Sequence, residues 1–298
     1  MKVESADRPE HLPNYYVSRR STEAQAFSVW TPPSGTLGAL TDEARGRAAT
    51  LRGRSEELKR AAANAVDPAA FGAALRKGDI AVIAELKRAS PSKGVIDSTL
   101  DAANQASAYE QGGAAAVSIL TEPSRFAGSN EDLVQARAAV RLPLLKKDFH
   151  VDPLQLLEAR ALGASAALII VRAVAPSELA VLMNTAADIG LEVLVEIRDR
   201  NELDRALSLG AKIIGVNNRD LETLEIDPER SLRLLPQIPR DVVAVAESGV
   251  RSLRDVEDVA AAGADAVLVG SHVSSATDPE SAVRGLTAVP RTGGARKS

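Results

Sequence analysis

Four times in this chain a Gly-Ala pair leads directly into a short apolar run, with the pairs standing about fifty residues apart. Gly113-Ala114 precedes AAVSIL, Gly163-Ala164 precedes SAALIIV, Gly210-Ala211 precedes KIIGVNN, and Gly263-Ala264 precedes DAVLVG. Each reads as a helix end, a glycine cap and a buried strand. The runs are short and nearly continuous, as expected where both faces of a parallel strand are covered. The interval has room for two strand–helix units, and four further apolar runs fill it: IAVIAEL, LPLLKK, EVLVEI and VVAVAE. Stretches at helical spacing, such as LQLLEARAL and NELDRALSL, separate them.

Eight strands, each followed by a helix, favour a closed (β/α)8 barrel within the α/β class. An open doubly wound sheet is the alternative, but no glycine-rich dinucleotide fingerprint follows the first strand. The chain of 298 residues, 45% hydrophobic, is long enough for one such core. We assign residues 37–290 to the barrel with preceding helices over Leu37–Ala63 and a short one over Asp67–Leu75. Residues 1–36, with Tyr15, Tyr16, Phe27 and Trp30, read as a partly ordered or flexible extension, and residues 291–298 as a flexible tail.

Strand parity sorts the charged residues. In the first strand Ile83, Glu85 and Lys87 share a face. In the third, Leu145, Lys147 and Phe149 do, in the fifth Leu194 and Glu196, in the sixth Ile213, Gly215 and Asn217, and in the seventh Val243, Val245 and Glu247. Two lysines and three glutamates would then converge inside the barrel mouth. Burying them costs several kcal/mol each unless they neutralise one another, so such crowding points to function. Mixed-sign neighbours also push pKa values apart, as multi-step proton transfer requires.

Ser248-Gly249 after the seventh strand and Gly270-Ser271 after the eighth supply small residues with free N–H groups where barrels hold a phosphate. Ser90, Ser92 and Gly94 after the first could add donors. Cysteine is absent, which excludes disulfides and thiolate metal sites. His11, His150 and His272 lie in no ligand-type spacing, and Asp148 reads as a structural acceptor or a group orienting Lys147; no metal is expected. A net charge of −4 without basic clusters disfavours nucleic acid and membrane partners. With no apolar leader or membrane-length run, the expected location is cytoplasmic.

These motifs resemble the indole-3-glycerol phosphate synthase family of tryptophan biosynthesis. AVIAELKRASPSKG, LPLLKKDF, LVEI, GVNNRDLETLEID, VAESGV and VLVGS are similar to its first, third, fifth, sixth, seventh and eighth strand motifs, in order, and Phe126-Ala127-Gly128-Ser129 to its second loop. The resemblance covers about Leu37 to Leu286. It implies cyclisation, decarboxylation and dehydration of 1-(2-carboxyphenylamino)-1-deoxyribulose 5-phosphate to indole-3-glycerol phosphate, CO2 and water, with no cofactor. It also implies that Lys147 is the general acid, that Lys87 holds the substrate carboxylate or assists dehydration, and that Glu85 and Glu196 divide the base and cation-stabilising roles. By the same resemblance Asn217, Glu247 and Ser248 orient sugar hydroxyls, and Arg219 stands near the carboxylate. Ser90, Gly249, Gly270 and Ser271 take the phosphate, and Phe126 and Phe149 line the aromatic pocket. The chain departs from the family's usual pattern at His272-Val273.

Other functions remain to be weighed against this one. A phosphate-binding barrel could use Lys147 or Lys87 as a Schiff-base nucleophile. An isomerase of the preceding pathway step needs a cysteine this chain lacks. A catalytically silent binding module would gain nothing from the buried charges. Either a monomer or a homodimer is expected, with association with other tryptophan-pathway enzymes left open.

Overall fold

The computed structural model describes residues 30–76, 78–292 and 296. Eight parallel strands close into a barrel in chain order: β1 (Ala81–Leu86), β2 (Ala116–Leu120), β3 (Leu144–Lys147), β4 (Ala166–Ile170), β5 (Glu192–Ile197), β6 (Ile213–Asn217), β7 (Val243–Glu247) and β8 (Ala266–Val269). Closure comes from β1, which pairs with β8 through Ala81 and Ala266 and with β2 through Ile83 and Ala116. Every strand falls within the apolar run expected to form it.

The Gly-Ala recurrence has a definite physical origin. Gly113, Gly163, Gly210 and Gly263 adopt left-handed φ values of +91°, +87°, +78° and +103° at helix ends. The following alanine N–H donates back to the last helical turn, Ala114 to Tyr109, Ala164 to Ala159, Ala211 to Ala206 and Ala264 to Val259, at 3.0–3.1 Å. Each alanine is buried and sends the chain into the next strand. Gly190-Leu191 does the same before β5, with φ +64° and a 2.9 Å bond from Leu191 to Ala186. Helix starts are as well defined. Ser129 with Asp132, Asp152 with Gln155 and Ser252 with Asp255 form reciprocal capping boxes.

Before the barrel run α1 (Gly35–Leu51), α2 (Ser55–Asn64) and a single turn at Phe71–Ala74. Leu58 and Ala62 of α2 pack on Leu157 of the helix after β3. The segment entering α1 docks on loops at the catalytic end of the barrel. Trp30 Nε1 donates to the Arg172 carbonyl (3.4 Å), and Arg172 donates to the Thr31 carbonyl (2.6 Å) and pairs with Glu222 (3.0 Å). Glu222 accepts from the Ser34 amide (2.7 Å) and pairs with Arg198 (2.6 Å). The remainder of the expected extension, residues 1–29 with Tyr15, Tyr16 and Phe27, lies outside the described residues.

In the stretch from 291, read from composition as a flexible tail, two arginines reach the opposite end of the barrel. Arg296 is buried, pairs with Asp265 (2.9 Å) and donates to the Val242 carbonyl (3.0 Å), while Arg291 donates to the Arg76 carbonyl (3.1 Å). Asp265 opens β8 in a near-dry setting and needs cationic partners, which composition alone does not reveal. Among the described residues, no helix is long and apolar enough to cross a membrane.

Candidate active site

The C-terminal ends of the strands open into a cavity of about 290 Å³. Most of the residues that strand parity turns inward line it. Glu85 and Lys87 from β1, Lys147 and Phe149 from β3, Asn217 and Arg219 from β6, and Glu247 from β7 all line it. Ser90, Phe126, Ser248, Gly249, Gly270 and Ser271 complete the set anticipated from the sequence. Glu196 differs. It stands behind Lys147, at 3.5 Å, accepts from Asn217 Nδ2 at 2.9 Å, and faces a small adjoining cavity rather than the main one.

Lys147 is the hub of the charges. Its ammonium lies 3.4 Å from Glu247 and 3.5 Å from Glu196, while Lys87 and Glu85 pair at 2.8 Å. Burial works against a charged Lys147, but Glu247, Glu196 and Glu85 outweigh it and raise its pKa above the ordinary lysine value. Burial likewise opposes ionised Glu85, and Lys87 and Lys147 overcome it, so its pKa is lowered. Glu247 goes the other way. Burial, with repulsion from Glu196 and Glu85, raises its pKa despite the pull of Lys147. Three carboxyls around two ammoniums leave one excess negative charge, and a proton held on Glu247 removes it. Both Glu247 carboxyl oxygens are buried and make no hydrogen bond among the described residues.

Part of the cavity wall is built of small residues. Ser248 and Gly249 both take left-handed φ, +64° and +96°. For a serine this is a strained conformation of the kind that gathers at functional sites. Gly270, Ser271 and Ser90 border the same region, whereas Gly94 turns a small exposed hairpin between Ala89–Ser90 and Gly94–Val95 (φ +67°) and does not line the cavity. At the His272-Val273 departure, Val273 is fully buried and its amide donates to the Gly270 carbonyl (3.0 Å), so valine fills the space beneath the loop while His272 stays exposed at the rim. Phe126 and Phe149 face each other with ring centroids 6.4 Å apart and planes tilted by 36°.

Sequence reasoning missed several lining residues. Thr36 and Leu40 come from α1, and Leu221, Lys93 and Arg251 from loops. The side chains of Lys93 and Arg251 form no ion pair among the described residues, so both add positive potential facing the cavity. A cation following a Ser/Gly turn at a strand end was the available signal for each.

Among the described residues no group of three or more potential ligands comes together, and His11 lies outside them. His150 is buried with Nδ1 2.7 Å from the Leu168 carbonyl. Burial, then the nearby Lys146, lowers its pKa to about 4. Because the folded value lies below the ordinary one, this neutral ring contributes stability above about pH 6.5 that is lost as pH falls towards 4. The loss should amount to about 3 kcal/mol. Urea titrations across that range are expected to give a shallower pH slope for His150→Gln than for the unsubstituted protein; equal slopes would refute the assignment.

The chain matches the family model for indole-3-glycerol phosphate synthase over residues 39–286. It is 50% identical to the indole-3-glycerol phosphate synthase of Mycolicibacterium vanbaalenii over 231 residues, 78% of this chain and 85% of that one. It is equally identical to that of Mycobacterium avium over 230 residues, 77% and 85% of the two chains. Among solved structures, 3-hexulose-6-phosphate synthase from Salmonella typhimurium superposes with a TM-score of 0.57 at 16% identity, covering 70% of this chain and 96% of that one, a likeness of fold alone. With a closed eight-stranded barrel, lysines and glutamates gathered at its mouth, and relatives at half identity over most of its length, the chain belongs to the indole-3-glycerol phosphate synthase family, carboxy-lyases of tryptophan biosynthesis.

Proposed function

We propose that the chain carries out its family's reaction on 1-(2-carboxyphenylamino)-1-deoxyribulose 5-phosphate with Lys147 as the general acid. The observation that carries this reading is the charge cluster: one half-buried ammonium held protonated by three glutamates at the mouth of a partly aromatic cavity of about 290 Å³. The anthranilate carbon bearing the carboxylate attacks the ribulose carbonyl carbon while Lys147 gives its proton to the carbonyl oxygen. CO2 then leaves, returning its electron pair to the ring. Loss of the new hydroxyl as water, with removal of a proton from the adjacent carbon, completes the indole. Atoms and electrons balance without an oxidant or reductant.

Glu196 and Glu85 are suited to the carboxylate roles. Glu85 is held ionised beside Lys87, which can assist departure of the hydroxyl or hold the carboxylate. Asn217, Glu247 and Ser248 would orient the sugar hydroxyls, with Arg219 near the carboxylate. The phosphate would lie against Ser90, Gly249, Gly270 and Ser271, and the anthranilate ring against Phe126 and Phe149. The ionised state of Lys147 argues against a Schiff-base mechanism, which needs a neutral amine. We further propose a cytoplasmic monomer or homodimer, with association with other pathway enzymes tested by co-purification and light scattering.

The purified protein, given the substrate without added metal, should produce indole fluorescence and release CO2 in equal amounts. Substrate binding without product would overturn the reading. A covalent adduct trapped on Lys147 or Lys87 by borohydride would replace it with the Schiff-base alternative.

A further inference from the structure

Gly215 lies on β6 at a position whose side chain would point into the barrel, paired in register with Glu196 of β5 and Val245 of β7. Its backbone lies outside the left-handed region, so an alanine is conformationally allowed there, and in a strand interior alanine would ordinarily be preferred to glycine. What stands in the way is the active site. A Cβ at 215 would lie 1.9 Å from Glu247 Oε1 and 3.0 Å from its Cδ, with Leu194 Cδ1 at 3.3 Å. The carboxyl of Glu247 therefore occupies the space a side chain at 215 would take. From that seat it reaches Lys147 at 3.4 Å.

We propose that Gly215 is a positioning residue: its missing side chain creates the seat that holds the Glu247 carboxyl against the Lys147 ammonium. This rests on the reading of Lys147 and Glu247 as catalytic. Gly270 is built alike, since a Cβ there would lie 2.4 Å from Glu85 Oε1 and 2.6 Å from Lys87 Nζ. Each glycine leaves room for a carboxyl beside a lysine. A single methyl group at 215 moves Glu247 away from its seat, because the carboxyl is the mobile end of the contact and the strand backbone is held by neighbours on both sides.

Gly215→Ala, Glu247→Ala and the double variant decide the matter. Gly215→Ala is expected to lower kcat by about 100-fold, with most of the loss in kcat rather than KM, as for an ångström-scale displacement of a group that orients the reacting substrate beside its acid. In the Glu247→Ala background the same glycine substitution should change kcat by less than about threefold, because there is no carboxyl left to displace. A purely structural role for Gly215 would instead add its full cost in both backgrounds, and that result overturns the proposal. Wild-type kcat in Gly215→Ala beside an impaired Glu247→Ala also overturns it, while leaving the catalytic reading intact. Full activity in Glu247→Ala removes both. Should the single variant fail to fold, the double variant should fold, since truncating Glu247 vacates the space; a double variant that is also unfolded counts against the seat.

Discussion

Replacing Lys147 by alanine should lower kcat by about 10³–10⁴-fold, the combined worth of a positioned acid and of the charge it sets against a developing oxyanion. The size of the effect follows from the ammonium's surroundings. Lys147 is the common partner of Glu247 and Glu196, and among the described residues no other cation lies within ion-pair distance of either carboxyl. Without it, Glu196 stands buried with no countercharge and Glu247 loses its neighbour, so the carboxyl side of the site is disturbed together with the acid. Methionine, of similar length but uncharged, should be as inactive as alanine. Arginine should not rescue, because its planar fork cannot occupy the place of a compact ammonium between two carboxyls. Single-turnover kinetics with product fluorescence will measure this, and a Lys147→Ala enzyme within about tenfold of the original, a loss of only ~1.4 kcal/mol, would remove Lys147 from the acid role.

Much of this site was legible in the sequence because parallel barrel strands are regular. Alternation along β1, β3, β6 and β7 was enough to bring Glu85, Lys87, Lys147, Asn217 and Glu247 to one mouth. Parity says which face a residue shares, but not which of two side chains on that face stands in front, so it could not set Glu196 behind Lys147. The Gly-Ala recurrence revealed four helix ends because their caps are local, made within six residues. The fifth was hidden by a leucine in place of alanine at Leu191. Residues supplied by distant segments were out of reach. Thr36 and Leu40 meet the cavity only because α1 folds over the barrel, an arrangement fixed by Arg172 and Glu222 far along the chain. The docking of Arg296 on Asp265 was equally invisible, since a small, charged C-terminal stretch reads the same whether or not a buried carboxylate awaits it.

Asp148 carries the second large effect, and it acts on stability before chemistry. Between Lys147 and Phe149 it borders the cavity and is nearly dry, at 5% exposure. It accepts from Arg47 Nη2 and Thr121 Oγ1, both at 2.7 Å, and lies 3.5 Å from Lys146 Nζ. Burial opposes its ionisation, yet Lys146, His150 and Arg47 prevail and lower its pKa to about 2. Lys146, 2% exposed, has Glu158 at 3.6 Å as its other partner. Asp148→Ala would leave that buried ammonium half-compensated and Thr121 without its acceptor, so the expected cost is about 3–5 kcal/mol. Arg47→Ala should cost less, about 1 kcal/mol, since the guanidinium side chain is 29% exposed and part of its pairing is screened. Asp148→Asn should fall between, keeping the acceptor for Thr121 but losing the charge. Because the folded pKa is depressed, the stability that Asp148 confers is fully present above the ordinary aspartate value of 3.8 and disappears as pH falls through about 2. The Asp148→Ala deficit should therefore be constant from neutral pH down to about 4 and shrink below it. Urea denaturation at neutral pH settles the larger claim: a variant within about 1 kcal/mol of the original would mean that α1 is not tied to the catalytic strand through this carboxylate.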